Sequence, residues 1–203
     1  MRRTFLASLA LMVSLSFVPS ANAQDGEWIP LFNGKNLDGW KLSENGKIVA
    51  KDGQIVISGP RSHLFYTDRE FQDFVFETEI KTTPGSNSGI YFHTAWQEEG
   101  WPTQGHEVQV NITHRDPVKS GSLYNRVKLF DVPAKDNEWY HCRITVKGKT
   151  VRVEINDRVL YEYVQPDQVT EQPMISKGLF ALQAHDPESV VYYRNLRVQP
   201  LGE

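Results

Sequence analysis

The feature that most limits the folds open to this chain is an alternation of apolar and polar residues with a period of two. It recurs in segments such as 140–147, 151–156 and 178–185, between clusters of Gly, Pro, Asn and Asp. After residue 23, no window keeps a helical apolar repeat beyond about two turns. Because a period of two is typical of strands with one face in the core, the chain is predicted to be all-β.

The strand pattern shows no internal repeat and no Pro/Gly-rich linker. It therefore favours a single β-sandwich of two sheets, or a jelly roll. Asn156-Asp157 is predicted to form a hairpin turn, since both residue types tolerate the left-handed backbone that such turns require. The only helix-like piece is short, at 167–171. The predicted strands include 54–58, 71–81, 89–95, 106–112, 140–147, 151–156, 158–163, 178–185 and 190–198.

Residues 1–23 have the layout of a secretory signal peptide. Two arginines precede an apolar run, and the small-residue pattern Ala21-Asn22-Ala23 precedes the expected cleavage site. The alternative, a transmembrane anchor, is disfavoured because the run is shorter than the roughly 20 residues that span a bilayer. We expect residues 24–203 to form one periplasmic or secreted domain, with no membrane span once the signal is removed.

Charge and cysteine content narrow the partners and the chemistry. Without Arg2 and Arg3 the chain carries 20 basic and 25 acidic residues, a balance that disfavours nucleic acid as a partner. The sequence is 39% hydrophobic and 11% aromatic, which is too apolar for a disordered chain. Cys142 is the only cysteine and lies in an alternating strand, so we expect a buried, inert thiol and no intrachain disulfide.

Three predicted strands carry reactive side chains on the face that points away from the core. With the apolar residues of 89–95, 106–112 and 178–185 turned inward, the alternate residues must face outward. If the three strands share one sheet, these groups converge. The alternative is that they only keep the protein soluble, as is usual for outward polar residues. The outward set comprises Tyr91, His93, Glu107, Gln109, Asn111, Gln183 and His185.

Several aromatic and basic residues allow two interpretations. Trp96 and Trp101 flank a polar loop, where each ring is expected either to stack on a sugar or to cover the end of the sandwich. Arg194, on the last strand, either anchors a substrate hydroxyl or braces the sheet edge. Trp40 and Trp139 are expected in the core.

An ordered set of motifs along the whole chain after residue 23 resembles the 3-keto-disaccharide hydrolase domain family. The resemblance implies a concanavalin A-like lectin and glucanase sandwich, and an exported bacterial protein associated with sugar breakdown. The chain departs from the family pattern at His93, where many relatives have Arg, and at Asn111, where many have Asp. The motifs include Leu31-Phe32-Asn33-Gly34, Asp38-Gly39-Trp40, Asn87-Ser88-Gly89-Ile90-Tyr91-Phe92, Gly105-His106-Glu107-Val108-Gln109-Val110, Gly121-Ser122-Leu123-Tyr124, and Gly178-Leu179-Phe180-Ala181-Leu182-Gln183-Ala184-His185.

The outward line of the Glu107 strand disfavours ordinary glycoside hydrolysis. That reaction uses two carboxylates flanking the scissile bond, and related sandwich glucanases carry both at alternate outward positions of one strand. Here the corresponding positions hold Glu107, Gln109 and Asn111, so only one carboxylate is present.

The resemblance implies a chemistry that fits this single carboxylate. A keto group at sugar C3 acidifies the hydrogen on C2, so one base removes it, the enolate expels the C1 substituent, and water adds to the enone. Glu107 and His185 are the candidates for base and acid, in an order that the sequence leaves open. Tyr124 is expected to donate to the enolate oxygen, as oriented donors do at a developing oxyanion.

The remaining candidates are assigned to substrate binding. Asn87, Gln109 and Gln183 are expected to hold sugar hydroxyls. No cofactor is certain from the sequence, but a divalent metal ion that polarises the ketone would have His185, His93 and Glu107 as candidate ligands. The substrate-binding prediction is completed by Tyr91, His93, Asn111, Trp96, Trp101 and Arg194.

Three functions are consistent with these observations. The first is an enzyme that cleaves 3-keto glycosides, and the second is a non-catalytic, carbohydrate-binding lectin-like module. The third is an extracellular domain that binds another protein. The fold does not decide among them. The pairing of two titratable groups, Glu107 and His185, favours the enzyme, because a pure binder relies on aromatic platforms and amides.

Overall fold

The structure is a computed structural model that describes residues 25–167 and 177–202. The described residues form thirteen strands in two antiparallel sheets, which confirms the predicted all-β sandwich. The predicted signal peptide at 1–23 and most of the helix-like piece at 167–171 lie outside the described residues. The strands are β1 (Ile29–Pro30), β2 (Trp40–Leu42), β3 (Lys47–Lys51), β4 (Gln54–Ser58), β5 (Ser62–Phe71), β6 (Phe74–Thr82), β7 (Asn87–Thr94), β8 (His106–Asn111), β9 (Tyr140–Lys147), β10 (Thr150–Ile155), β11 (Arg158–Val164), β12 (Gly178–Ala184) and β13 (Val191–Pro200).

The order of the strands decides which side chains share a face. The larger sheet runs β11-β10-β9-β6-β13-β4-β3, with β1 beside β13. The smaller sheet runs β2-β5-β12-β7-β8. The three strands that carry the predicted reactive residues are β12, β7 and β8, and they are direct neighbours in the smaller sheet. Their outward side chains therefore lie on one surface.

The sequence pattern missed β5, which lies inside the smaller sheet between β2 and β12. Its first five residues are all buried, so both faces are covered and no alternation appears. Its next four residues are exposed and polar, which also hides the period of two. A period of two in the sequence reveals only strands with one buried face and one solvent-exposed face.

Aromatic side chains join the two sheets across the core. Phe180 of β12 lies with its ring centroid 4.8 Å from Phe74 and from Phe76 of β6, in the opposite sheet. The ring centroid of Phe71 lies 5.4 Å from that of Phe180. Because rings at these separations bury a large apolar area and interact favourably, this cluster fixes the two sheets against each other.

The outer faces of the two sheets differ in their exposure to solvent. In β9 and β10 of the larger sheet, buried residues alternate with partly exposed ones, as expected for a wet outer face. In β7, β8 and β12, every residue is buried. The outward polar residues of these three strands are therefore covered by other parts of the chain, and solvation alone does not account for them.

One of the segments that cover these strands, residues 122–124, runs along the free edge of β8. The amide of Gln109 donates to the carbonyl of Ser122, and the amide of Tyr124 donates to the carbonyl of Glu107, both at 2.9 Å. The segment thus extends the smaller sheet by an irregular strand. It brings Tyr124 next to Glu107.

Two further expectations from the sequence can be compared with the fold. Cys142 is buried in the core, and its burial raises the pKa of the thiol to about 12, so the prediction of an inert thiol is confirmed. Within 25–167 and 177–202, the chain contains no helix with the length and apolar character needed to cross a membrane.

Truncation of the aromatic cluster tests how the sheets are held together. We expect Phe180→Ala to lower the free energy of unfolding by about 3–5 kcal/mol, because it leaves a cavity between the sheets. Phe130→Ala is the matched control, since Phe130 is 68% exposed and its loss should change the free energy by less than about 0.5 kcal/mol. Urea unfolding of both variants measures the difference. Equal losses would contradict this account of the core.

Candidate active site

A cleft of about 370 Å³ opens on the outer face of the smaller sheet, a size within the usual range for small-molecule sites. Strands β7, β8 and β12 form its floor, and the loops around Trp101 and Tyr124 form its walls. Eight of the twelve predicted site residues line it: Asn87, Tyr91, Trp101, Glu107, Gln109, Tyr124, Gln183 and His185.

Glu107 lies at the centre of the floor and is only 9% exposed. The hydroxyl of Tyr91, its cross-strand neighbour on β7, donates to Glu107 Oε2 at 2.8 Å. Gln183 Nε2, on β12, donates to Glu107 Oε1 at 3.1 Å and to the Tyr91 hydroxyl at 3.0 Å. Three adjacent strands therefore hold the carboxyl group in one position.

Burial raises the pKa of Glu107 to about 7, although the hydrogen bonds from Tyr91 and Gln183 act in the opposite direction. A carboxyl group with this pKa carries a proton in a large fraction of molecules at neutral pH. Glu107 is thus suited to donate a proton to a leaving group, which is the task of a general acid.

A glycine provides the space that the Glu107 side chain occupies. A Cβ atom at Gly89 of β7 would lie 2.3 Å from Glu107 Oε1 and 2.9 Å from Glu107 Cδ. Such contacts are too short for any real Cβ atom, so a larger residue at this position displaces the carboxyl group. The glycine in the Asn87-Ser88-Gly89 motif therefore has a steric role in the site.

His185 lines the cleft at the end of β12 and is held by the next residue in the chain. Its Nδ1 lies 2.8 Å from Asp186 Oδ2. Asp186 Oδ1 accepts the backbone N–H groups of Glu188 and Ser189, each at 3.0 Å. Burial would raise the pKa of Asp186, but the hydrogen bonds from His185 and Ser189 lower it below its usual value, so the group is a carboxylate at neutral pH.

His114 approaches the same carboxylate from a loop after β8. Its Nε2 lies 3.9 Å from Asp186 Oδ2. Its Nδ1 accepts the backbone N–H of Asp116 at 3.1 Å and lies 3.3 Å from Asn87 Nδ2. Burial, followed by the proximity of His185, lowers the pKa of His114. A neutral ring that accepts through Nδ1 carries its proton on Nε2.

These contacts bear on whether the site holds a metal ion. The predicted ligand trio of His185, His93 and Glu107 does not form, because His93 points away from the cleft. Among the described residues, His114, His185 and Asp186 are the group whose potential ligand atoms lie within 4.8 Å of one another. A metal ligand needs a free lone pair, but the contacts at His114 Nδ1 place the proton on Nε2. The trio therefore fits a hydrogen-bonded arrangement rather than a metal site.

Two predicted substrate-binding residues face other parts of the chain. His93 has a φ of +54°, and the pairing of β12 with β7 shifts at this point, so its side chain leaves the outward face. His93 Nε2 lies 2.7 Å from the carbonyl oxygen of Gln72, and the ring packs against Phe74. Asn111 is fully buried, and its Nδ2 donates to the carbonyl oxygens of the loop residues Asp116 and Val118.

Trp96 and Arg194 also lie outside the cleft. Trp96 packs on Phe65 with its ring centroid 5.1 Å away, and Lys41 Nζ lies 3.8 Å over its ring, so it covers another part of the sheet. Arg194 lies on the larger sheet and donates to Glu79, which agrees with the bracing interpretation.

Trp139 was expected in the core, and this expectation is wrong. It is only partly buried, on the outer face of the larger sheet, where the guanidinium of Arg194 lies 4.1 Å from its ring centroid. Trp101 is the tryptophan that lines the cleft. It is 44% exposed, and its ring centroid lies 5.6 Å from that of His185.

Sequence reasoning missed Asp186 and His114. His114 lies in a loop, where periodicity gives no direction for a side chain. Asp186 follows a strand and precedes Pro187, Glu188 and Ser189, a composition typical of a turn in which an Asp side chain caps backbone amides. That signal predicts the turn, but it does not show that the second carboxylate oxygen faces an imidazole.

Solved structures from two bacteria, Parabacteroides distasonis and Bacillus subtilis, share this fold. A Parabacteroides distasonis ATCC 8503 protein with a provisional glycosyl hydrolase name matches with a TM-score of 0.73 and 22% identity, over 87% of this chain and 94% of that one. The carbohydrate binding module CBM66 from Bacillus subtilis matches with a TM-score of 0.58 and 16% identity, over 78% and 93% of the two chains. These likenesses define the class of the fold, a lectin-like β-sandwich.

The sequence comparisons are more specific. A 3-keto-disaccharide hydrolase from Bacteroides thetaiotaomicron is 26% identical over 86% of this chain and 78% of its own length. Residues 27–199 match the profile of the 3-keto-alpha-glucoside-1,2-lyase-like domain, and the chain belongs to this family. The resemblance seen in the sequence motifs is thereby confirmed.

The raised pKa of Glu107 predicts a dependence of stability on pH. Because its pKa rises from 4.5 to about 7 on folding, the folded state binds the proton more tightly than the unfolded chain. Stability from this group is fully present below pH 4.5 and is lost as the pH rises through 7. Relative to Glu107→Gln, we expect wild type to lose on the order of 3 kcal/mol of unfolding free energy between pH 4 and pH 8.

Chemical denaturation across this pH range measures the difference. Glu98→Gln is the control, since Glu98 is exposed and lies outside the cleft. A wild-type curve that stays parallel to that of Glu107→Gln would contradict the raised pKa.

Proposed function

We propose that this protein cleaves glycosides that carry a keto group at C3 of the sugar. The reaction removes the C2 proton, expels the C1 substituent, and adds water to the resulting enone. Membership of the 3-keto-alpha-glucoside-1,2-lyase-like domain family supports the proposal, as does the name of the relative from Bacteroides thetaiotaomicron. The observation that carries it is the presence of a protonatable carboxyl group, Glu107, and an imidazole, His185, in one cleft.

His185 is assigned the role of base in this proposal, and Glu107 that of acid. The imidazole takes the proton from C2, and the electrons of the C–H bond form the enolate with the C3 ketone. The enolate then forms a C1–C2 double bond as the C1–O bond breaks, and Glu107 protonates the departing oxygen. Addition of water across that double bond, OH to C1 and H to C2, restores a 3-keto sugar. Each positioned acid or base contributes typically 10²–10⁴-fold.

Other lining residues are assigned to binding. Tyr124 is 51% exposed in the wall beside Glu107, where its hydroxyl is available to donate to the enolate oxygen. Trp101 offers a half-exposed aromatic face to a sugar ring. Gln109 Nε2 donates to Asn87 Oδ1 at 2.7 Å, so these two amides form one rigid polar unit on the floor.

Two alternatives follow from particular observations. Asp116 is a second carboxylate in the cleft lining, which a two-carboxylate hydrolase acting on unoxidised glycosides would use. A non-catalytic lectin-like module would use Trp101 and the amides alone, as the fold likeness to CBM66 allows. The substrates and variants below separate these alternatives from the main proposal.

We also propose that the protein is exported to the periplasm or secreted after removal of residues 1–23. The support is the order of positive, apolar and small residues in that segment. N-terminal sequencing of the protein from the periplasmic fraction should begin at Gln24. A chain that keeps Met1 and stays in the cytoplasm would contradict export.

Activity on a 3-keto-glucoside with a chromogenic leaving group tests the reaction. We expect Glu107→Gln and His185→Ala each to lower kcat/KM by about 10²–10⁴-fold. Arg152→Ala, on the outer face of the larger sheet, is the control and should retain wild-type activity.

The unoxidised glucoside is the second substrate in this assay. We expect no release from it by any variant. Release that disappears in Asp116→Asn would instead support two-carboxylate hydrolysis. Binding of the keto sugar without release from either substrate would support the lectin-like module.

A further inference from the structure

We propose that Asp186 is a positioning residue that fixes the His185 ring in one tautomer, with the proton on Nδ1 and a free lone pair on Nε2. The tautomer follows from the contacts of Asp186 alone. Only its consequence for catalysis rests on the proposed function, in which His185 removes the C2 proton.

The turn after β12 fixes both oxygens of the Asp186 carboxylate. Oδ1 accepts two backbone N–H groups, from Glu188 and Ser189, at 3.0 Å each. Oδ2 accepts the hydroxyl of Ser189 at 2.9 Å and faces His185 Nδ1 at 2.8 Å. The carboxylate therefore cannot rotate without breaking at least three hydrogen bonds.

The direction of the His185 contact follows from the chemistry of the two groups. An ionised carboxylate only accepts hydrogen bonds, so His185 Nδ1 must be the donor. A neutral imidazole carries one proton, and with that proton on Nδ1 the lone pair is on Nε2. Within the described part of the chain, Nε2 has no hydrogen-bond partner, so a ligand in the cleft meets an unengaged base.

The second imidazole near Asp186 does not disturb this arrangement. His114 accepts hydrogen bonds through Nδ1, so it presents an N–H group, and not a lone pair, toward Asp186 Oδ2. It therefore does not compete for the proton on His185. The two rings face one carboxylate oxygen with opposite nitrogens, His185 with Nδ1 and His114 with Nε2.

An isosteric substitution should invert the tautomer. In Asp186→Asn the side-chain oxygen must stay on the two backbone N–H groups, because an NH2 group cannot accept them. The NH2 group then takes the place of Oδ2 and donates to His185 Nδ1. The ring proton must move to Nε2, where it occupies the lone pair that the reaction needs.

Nitrogen-15 NMR of histidine-labelled protein reads the tautomer directly. In wild type we expect the His185 proton on Nδ1, and in Asp186→Asn we expect it on Nε2. The His114 ring, with its proton on Nε2 in both proteins, is the internal reference, and the His185 signals are assigned by their loss in His185→Ala. A wild-type ring with its proton on Nε2 would overturn the proposal whether or not the Asp186 variant folds.

Kinetics on the 3-keto-glucoside provide the second readout. We expect Asp186→Asn to lower kcat by about 10²-fold or more with little change in KM, because the base is blocked while the cleft keeps its shape. Asp73→Asn is the matched control, since Asp73 Oδ1 also accepts a backbone N–H, from Gly148, but lies outside the cleft. Wild-type kcat in Asp186→Asn would overturn the positioning role. The predicted tautomer together with an inactive wild type would leave the positioning role intact and reject the proposed function.

Discussion

The site depends on a carboxyl group buried on the outer face of a β-sheet. Burying Glu107 is costly unless the group is hydrogen-bonded, protonated, or both. The structure meets this requirement with donors from two neighbouring strands, Tyr91 on β7 and Gln183 on β12. Gly89 leaves room for the side chain, and the segment that ends at Tyr124 covers the strand edge. The strand order β12-β7-β8 is thus a condition for the proposed chemistry as well as part of the fold.

Glu107 and His185 are held in different environments, and this difference supports the distinct roles proposed for them. Burial of Glu107 favours its protonated form, although the hydrogen bonds from Tyr91 and Gln183 favour the carboxylate. His185 is next to the carboxylate of Asp186, whose negative charge the turn amides maintain. The Asp186 carboxylate accepts the proton of His185 Nδ1, which leaves the lone pair of the neutral ring on Nε2. The cleft therefore has the components for one proton removal and one proton donation without a second carboxylate on the floor.

The sequence predicted most of the fold and the floor of the cleft, because both follow from a period of two. Glu107, Gln109 and Gln183 were placed correctly once their apolar neighbours were assigned to the core. His93 was misplaced because a left-handed residue near the end of β7 changes the phase of the strand, which periodicity cannot reveal. The contacts of Asp186 and His114 come from turns and loops, where side-chain direction depends on tertiary packing. Strand β5 was missed because the first half of the strand is buried on both faces and so shows no alternation of apolar and polar residues.

The proposed acid role depends on a Glu107 carboxyl group that is protonated in a large fraction of molecules at neutral pH. The most direct measurement is a carbon-13 NMR titration of protein labelled at the glutamate side-chain carboxyl carbon, with Glu107→Gln used to assign the signal. We expect a midpoint of about 7 for the Glu107 signal. A midpoint near 4.5, the ordinary value for an exposed glutamate, would contradict it.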